Sequence, residues 1–265
     1  MTLEKTSTYV ARPVNQQGYA DYSAEENAVW NELITRQVPI LQGRACQEYL
    51  DGLKSLDLPT DHVPQCPEIS AVLREKTGWE LQPVPALIPH EYFFELLSKR
   101  KFPAATFIRR REELNYLQEP DIFHEMFGHC PLLTNHAFAD FTHMYGKLGL
   151  SASNEDREML ARLYWFTIEF GLIRSPQGVR AYGGGILSSM GETPYSTDSD
   201  VPLRKPFDVL DVLRTPYRID IMQPIYFVIE NSDVLFKVLE MNLFALIKEA
   251  RTLGMHKPLF KETAN

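Results

Sequence analysis

The chain has 265 residues, of which 44% are hydrophobic and 23% are charged, a composition typical of a globular protein. Its formal net charge of −8 argues against nucleic acid or an anionic membrane surface as the main partner. No apolar run approaches the ~20 residues that a membrane-spanning helix needs, and the three cysteines lie far apart, so we expect a cytoplasmic protein with reduced thiols.

The predicted elements of the N-terminal half are mainly helices. Residues 1–20 are polar and are expected to be extended or poorly ordered, which leaves 21–265 as a single domain. Ser23 and Glu26 match a capping box, so a helix with Trp30 on its buried face is expected to begin after Ser23. Further along, the sequence predicts helices at 46–53, 69–76 and 91–99, an extended or edge segment at 83–89, and a short strand at 104–108.

The C-terminal half is expected to be helical as well, with a few short strands. It is predicted to contain helices at 136–150, 155–171 and 232–253, a Gly-rich strand or loop at 181–189, and strands at 218–222 and 225–229. Helices and strands do not alternate regularly, so a doubly wound parallel sheet is not expected. The fold class is therefore predicted to be α+β and mainly helical.

His124, Glu125 and His129 form the most informative motif of the chain. Two histidines five residues apart do not match the zinc-peptidase pattern His-Glu-x-x-His, in which the ligands are four apart. On a straight helix a spacing of five places them roughly 140° apart, so they converge only if the helix ends or loosens between them. Gly128 and Pro131 are well placed to cause this.

Glu169 is the candidate third ligand, because it lies in a strongly apolar run over 164–170. Burying an unpaired carboxylate costs several kcal/mol, so Glu169 should have a metal or a cation as its partner. The alternative is a buried ion pair with Arg162 or Arg174.

Two histidines and one carboxylate leave open positions on a metal ion. Such a site is typical of non-haem ferrous oxygenases, but zinc hydrolases also use it, with Glu125 in that case as the general base. A non-catalytic protein that binds a structural metal is a third alternative.

Three segments of the chain resemble the active-site segments of the pterin-dependent aromatic amino acid hydroxylase family. They are residues 117–133, which contain the histidine motif, residues 164–172 and residues 181–192. Weaker similarity extends from about 83 to 227, and the length and N-terminal portion resemble bacterial members that hydroxylate phenylalanine. The resemblance implies a single catalytic domain of that family's type, without an activating regulatory domain, in a monomer or a weak dimer.

The resemblance also implies the reaction. A monooxygenase of this kind hydroxylates L-phenylalanine to L-tyrosine with O2 and a tetrahydropterin, either tetrahydrobiopterin or a relative, at a ferrous iron. Separate enzymes would then regenerate the pterin.

Carried over residue by residue, the resemblance implies roles for the motif positions. The implied iron ligands are His124, His129 and Glu169. For the substrate, Arg109 would hold the carboxylate and Asp121 would orient it, Pro120, Trp165, Phe170 and Gly185 would surround the ring, and Ser188 would bond near the iron. For the pterin, Phe93 would stack on the ring, with Leu87, Ile88, Glu125, Ala161 and Tyr164 as other contacts. Glu125 and Ser188 are the implied catalytic residues besides the ligands.

Some of these residues have a plain structural interpretation, and two positions depart from the family. Without the resemblance, Arg109 would be a solvated surface charge, and Trp165 and Phe170 would be core residues. Pro89 and His90 depart from the family pattern, since animal members carry serines there.

Overall fold

Helices make up most of the computed structural model, which describes residues 9–115, 117 and 119–260. The α-helices are α1 (Ala24–Leu41), α2 (Gln47–Leu56), α3 (Cys66–Thr77), α4 (His90–Ser98), α5 (Cys130–Leu133), α6 (His136–Ser151), α7 (Asn154–Tyr164), α8 (Gly184–Leu187), α9 (Glu192–Thr197), α10 (Val209–Arg214), α11 (Asp233–Glu240) and α12 (Leu243–Leu253). Two π-helices lie at His124–His129 and Trp165–Glu169. None of the described helices is both long enough and apolar enough to cross a membrane.

The strands form two small sheets. They are β1 (Glu80–Val84), β2 (Lys101–Ala105), β3 (Leu172–Ser175), β4 (Gly178–Ala181), β5 (Leu203–Pro206) and β6 (Ile225–Ile229). Strands β1 and β2 are a parallel pair, whereas the second sheet has the order β4-β3-β6-β5, with β3 and β4 antiparallel and the other pairs parallel. The predicted α+β, mainly helical class is confirmed.

The start of α1 shows how local sequence determines a helix boundary. The Ser23 hydroxyl accepts from the Glu26 backbone N–H at 3.3 Å, and the Glu26 carboxylate accepts from the Ser23 N–H at 2.8 Å. This capping box satisfies two backbone donors that the first turn leaves free. Trp30 is fully buried on the inner face of the helix, as expected, and its indole donates to the Pro59 carbonyl at 2.7 Å.

Several predicted elements differ from the structure for identifiable reasons. The expected helix at 232–253 is broken between α11 and α12, because the Asn242 side chain caps α12 by accepting from the Ala245 N–H. Residues 184–187 form a helical turn rather than a strand or loop. Residues 218–222 form no strand, because the Gln223 side-chain amide donates to the Arg218 and Ile221 carbonyls and curls the segment.

The predicted strand at 104–108 is shifted in the structure. Strand β2 begins at Lys101, opposite Glu80, and ends at Ala105. Beyond it, the Thr106 and Phe107 carbonyls accept from the Tyr22 hydroxyl and the Ile122 N–H, and not from a neighbouring strand.

Strands β3 to β5 were not among the predicted elements, because each has only four residues. In the N-terminal segment, residues 9–20 contain no helix and one bridge between Val14 and Ala20, and residues 1–8 lie outside the described part.

Helices α4 and α6 pack so closely that α6 requires glycine where it contacts α4. A Cβ atom at Gly146 in α6 would lie 2.5 Å from the Leu97 Cβ and from the Ser98 backbone nitrogen of α4. One turn later, a Cβ at Gly149 would lie 2.2 Å from the Phe94 ring. This contact holds α4 in place, and α4 carries Phe93.

We therefore predict that Gly146→Ala lowers the free energy of unfolding by about 1–3 kcal/mol, the usual cost of overpacking. Gly191→Ala is the control, because its Cβ would meet the flexible Met222 methyl at 3.2 Å. Chemical denaturation measures both variants. Equal stability of Gly146→Ala and the wild type would show that the two helices separate at little cost.

Candidate active site

The two π-helices carry the three candidate ligands. The first is closed by a bond from the Cys130 N–H to the Glu125 carbonyl, and the second by a bond from the Phe170 N–H to the Trp165 carbonyl at 2.8 Å. Both bonds join residues five apart, so the helix widens and side chains five apart come to one face. The predicted loosening between the two histidines is confirmed.

Gly128 and Pro131 contribute to this turn differently from what was expected. A Cβ at Gly128 would lie 2.7 Å from the Gly184 carbonyl oxygen, so glycine permits a close contact with α8. Pro131 does not stop the helix, because it occupies the first turn of α5, where a missing N–H costs nothing.

The candidate ligand atoms converge. The Nε2 atoms of His124 and His129 are 3.0 Å apart. His124 Nε2 lies 3.5 Å from one carboxylate oxygen of Glu169, and His129 Nε2 lies 3.1 Å from the other. One ligand atom from each residue fits within 4.8 Å of the others. The ion-pair alternative for Glu169 is wrong, because Arg162 donates to the Leu213 carbonyl and Arg174 pairs with Glu230.

The charge states suit metal binding. Burial lowers the pKa of His124 to about 4, with the Glu169 carboxylate acting in the opposite direction, so the imidazole is neutral near pH 7. Burial also disfavours the Glu169 carboxylate, but the neighbouring His129 and His124 outweigh it and hold the pKa of Glu169 below its usual value. A neutral imidazole and an ionised carboxylate are the forms that bind a divalent ion.

Ser188 orients the His124 ring. Its hydroxyl donates to the Gly184 carbonyl at 2.8 Å and therefore accepts from His124 Nδ1–H at 2.9 Å. This places the proton on Nδ1 and leaves the Nε2 lone pair directed at Glu169 and His129. Hydrogen bonds of this kind are how proteins orient a metal-binding imidazole.

Arg109 is buried and forms a bidentate pair with Asp121. Its Nε and Nη2 donate to the two Asp121 oxygens at 2.8 and 2.9 Å, and its backbone N–H donates at 2.9 Å. The Asp121 carboxylate also accepts from the His124 backbone N–H at 3.0 Å. Burial disfavours this carboxylate, but Arg109 keeps the pKa of Asp121 below its usual value. The surface-charge alternative for Arg109 is wrong.

A cleft of about 420 Å³ opens beside the three ligands. Most of the candidate residues line it, namely Leu87, Ile88, Phe93, Arg109, Pro120, His124, Ala161, Tyr164, Trp165, Glu169, Phe170, Gly185 and Ser188. Trp165 and Phe170, whose ring centroids are 4.4 Å apart, form an aromatic wall and are not core residues. On another wall, the Phe93 ring packs edge-on against Tyr164 at 5.2 Å. The buried Tyr164 hydroxyl has no hydrogen-bond partner among the described residues.

Three candidates are not among the described residues that line the cleft: Asp121, Glu125 and His129. Asp121 pairs with Arg109, which does line the cleft. His129 is buried and reaches the site through its Nε2 atom. Glu125 is buried, and its pKa is raised well above the usual value by that burial, with the Glu169 and Asp121 charges adding to the effect. Its expected contact with a pterin stays a prediction.

Other residues line the cleft that sequence reasoning did not single out. Those at the mouth come from one segment and include Tyr217, Ile219, Ile221 and Met222. Tyr217 stacks on Trp165, with ring centroids 4.6 Å apart. Neither periodicity nor a motif marks these residues, because they reach the cleft through an irregular loop.

Comparison with known proteins establishes the family. A family model described as biopterin-dependent aromatic amino acid hydroxylase matches residues 7–247. The chain belongs to this family. A biopterin is thus the organic cofactor of this hydroxylase, and the zinc-hydrolase and structural-metal alternatives are wrong.

Individual relatives match along nearly the whole chain. The hydroxylase is 59% identical over 256 residues to phenylalanine-4-hydroxylase of Pseudomonas aeruginosa, with 97% of each chain covered. It superposes on the apo structure of the cold-active phenylalanine hydroxylase of Colwellia psychrerythraea with a TM-score of 0.91 at 56% identity, covering 94% of this chain and 97% of that one. A Chromobacterium violaceum phenylalanine hydroxylase with bound oxidized Fe(III) matches with a TM-score of 0.86 at 43% identity, covering 91% and 90% of the two chains.

The buried Arg109–Asp121 pair leads to a stability prediction. Asp121→Asn removes the charge that compensates a buried guanidinium, so we expect the free energy of unfolding to fall by about 3–5 kcal/mol. Asp140→Asn is the matched control, because Asp140 forms a 2.7 Å pair with Arg100 that is only partly buried, and ion pairs open to solvent contribute at most ~1 kcal/mol. Denaturant unfolding compares them. Equal losses in both variants would contradict the importance of the buried pair.

Proposed function

We propose that His124, His129 and Glu169 bind the ferrous ion at which this hydroxylase converts L-phenylalanine to L-tyrosine with O2 and a tetrahydropterin. The observation that carries the proposal is the convergence of these three ligands beside a cleft that also holds a buried arginine and an aromatic wall. The phenylalanine-4-hydroxylase of Pseudomonas aeruginosa, which matches along the chain, supports the choice of substrate.

The donor set fits iron, and the cleft fits a pterin. Two imidazole nitrogens and one carboxylate suit non-haem ferrous iron and leave coordination positions open. When bound, the iron and the reduced pterin supply the electrons that activate O2 for insertion into the ring. For the pterin, we assign Phe93 as the stacking ring, with Leu87, Ile88, Ala161, Tyr164 and the buried Glu125 as further contacts. The buried, unpartnered Tyr164 hydroxyl supports a polar ligand there.

The departures from the family pattern lie at the edge of this wall. His90 lines the cleft, and Pro89 immediately precedes α4. In this chain a pyrrolidine ring and an imidazole therefore stand where animal members have hydroxyl groups. Partial desolvation at the edge of the cleft lowers the pKa of His90 below its usual value, which favours the neutral imidazole.

Arg109 is suited to hold the amino acid by its carboxylate. The Asp121 pair engages Nε and Nη2 and fixes the plane of the guanidinium, which leaves Nη1 for the substrate. A fixed guanidinium binds a carboxylate with less loss of side-chain entropy. Asp121 is thus proposed to act through Arg109.

The ring of the substrate is proposed to lie between Pro120, Trp165, Phe170 and Gly185. A Cβ at Gly185 would come within 2.9 Å of the Phe170 ring, so glycine lets that ring pack closely against α8 at the side of the cleft. Apolar walls exclude water from the reacting ring, and Ser188 keeps the His124 ring oriented beside it. Glu125 is proposed as a further catalytic residue.

We also propose that residues 21–265 act as one catalytic domain, in a cytoplasmic monomer or weak dimer whose pterin is regenerated by separate enzymes.

The direct test is tyrosine formation by the purified, iron-loaded protein, which should require both a tetrahydropterin and O2. Glu169→Ala should keep the fold, lose tyrosine formation and bind less than one iron per chain. Glu230→Ala is the control, since it removes an exposed carboxylate paired with Arg174. Full activity with stoichiometric zinc in place of iron would contradict the proposal.

A further inference from the structure

Trp165, in the aromatic wall, is held in two different ways. Its ring faces Phe170 at 4.4 Å and stacks on Tyr217 at 4.6 Å, with interplanar angles of 35° and 24°. These contacts restrain movement out of the ring plane. Stacking restrains rotation of an aromatic ring within its own plane less tightly than a hydrogen bond does, because the dispersion attraction depends mainly on the distance between the two faces.

A hydrogen bond supplies the in-plane restraint. The Trp165 indole N–H donates to the Gln223 side-chain oxygen at 3.2 Å. Gln223 is buried, and its amide group donates to the Arg218 and Ile221 carbonyls at 2.9 and 3.0 Å. The amide is thus fully engaged, and its oxygen stays directed at the indole.

Gln223 is in turn held by the buried residue Glu192. The Gln223 backbone N–H donates to Glu192 Oε1 at 2.9 Å, and the Tyr226 hydroxyl donates to the same oxygen. Burial raises the pKa of Glu192, so keeping this carboxyl inside the protein costs free energy. A polar chain from Tyr226 through Glu192 and Gln223 to Trp165 therefore crosses an otherwise apolar region.

We propose that Gln223 and Glu192 are positioning residues that fix Trp165 within its plane and so set the width of the aromatic slot. The inference rests on the proposed function, in which Trp165 borders the substrate ring. A fixed indole edge favours the single ring of phenylalanine and rejects the larger bicyclic ring of tryptophan.

Gln223→Met tests this most directly, since it keeps the side-chain length and removes the acceptor. The ratio of kcat/KM for phenylalanine to kcat/KM for tryptophan should fall about tenfold, the effect of one net hydrogen bond. The change should appear mainly in KM. Gln47→Met, on the exposed side of α2, is the matched control and should leave the ratio unchanged.

Two further variants keep the test decisive. Tyr226→Phe removes only the hydroxyl that holds Glu192. It should lower the ratio of kcat/KM for phenylalanine to kcat/KM for tryptophan as well, by a smaller factor. If Gln223→Met does not fold, Tyr226→Phe tests the inference in its place. In a Trp165→Phe background, Gln223→Met should have no further effect on the ratio, because the bond it removes is already absent.

A spectroscopic readout separates this inference from the proposed function. With 15N-labelled tryptophan, the indole N–H signal of Trp165, assigned from its loss in Trp165→Phe, should shift in Gln223→Met. The signal of Trp30, which donates to Pro59, should stay in place. An inactive iron-loaded wild type would contradict the proposed function. An active wild type whose substrate ratio is unchanged in Gln223→Met and Tyr226→Phe would overturn the inference.

Discussion

Two widened helical turns hold the three side chains proposed to bind iron, and distant parts of the chain pack against both turns. A π-turn is uncommon because it exchanges α-helical hydrogen bonds for a looser set. In the first turn, the Phe127 carbonyl accepts from the buried Tyr49 hydroxyl of α2 at 2.6 Å. In the second, a Cβ at Gly183 would lie 2.3 Å from the Glu169 carbonyl, so the glycine-rich segment packs directly on the turn.

Asp121 connects the metal side of the site with the substrate side. One buried carboxylate accepts from the backbone of His124, at the start of the first π-helix, and from the guanidinium of Arg109. The proposed metal ligand and the proposed carboxylate clamp are therefore held by the same side chain. A shift of Asp121 would move both, which is one physical reason for an ionised group in so apolar a place.

Local signals explain what could be predicted from the sequence. The capping box at Ser23 is complete within four residues, so the start of α1 could be predicted. The spacing of His124 and His129 predicted a loosened helix, because a regular α-helix does not bring residues five apart to one face. The same spacing could not specify a π-turn, because contacts made by distant residues are invisible in the local sequence, such as the bond from the Tyr49 hydroxyl to the Phe127 carbonyl. The strand predicted at 218–222 is wrong, because the shape of this segment depends on Gln223 and Glu192, whose hydrogen bonds no local pattern records.

Anomalous diffraction at the iron absorption edge can show whether the two π-turns form one iron site. Crystals of the iron-loaded protein should show one anomalous peak within bonding distance of His124 Nε2, His129 Nε2 and a carboxylate oxygen of Glu169. An active, iron-loaded protein whose only anomalous peak lay away from these three residues would contradict the proposed iron site.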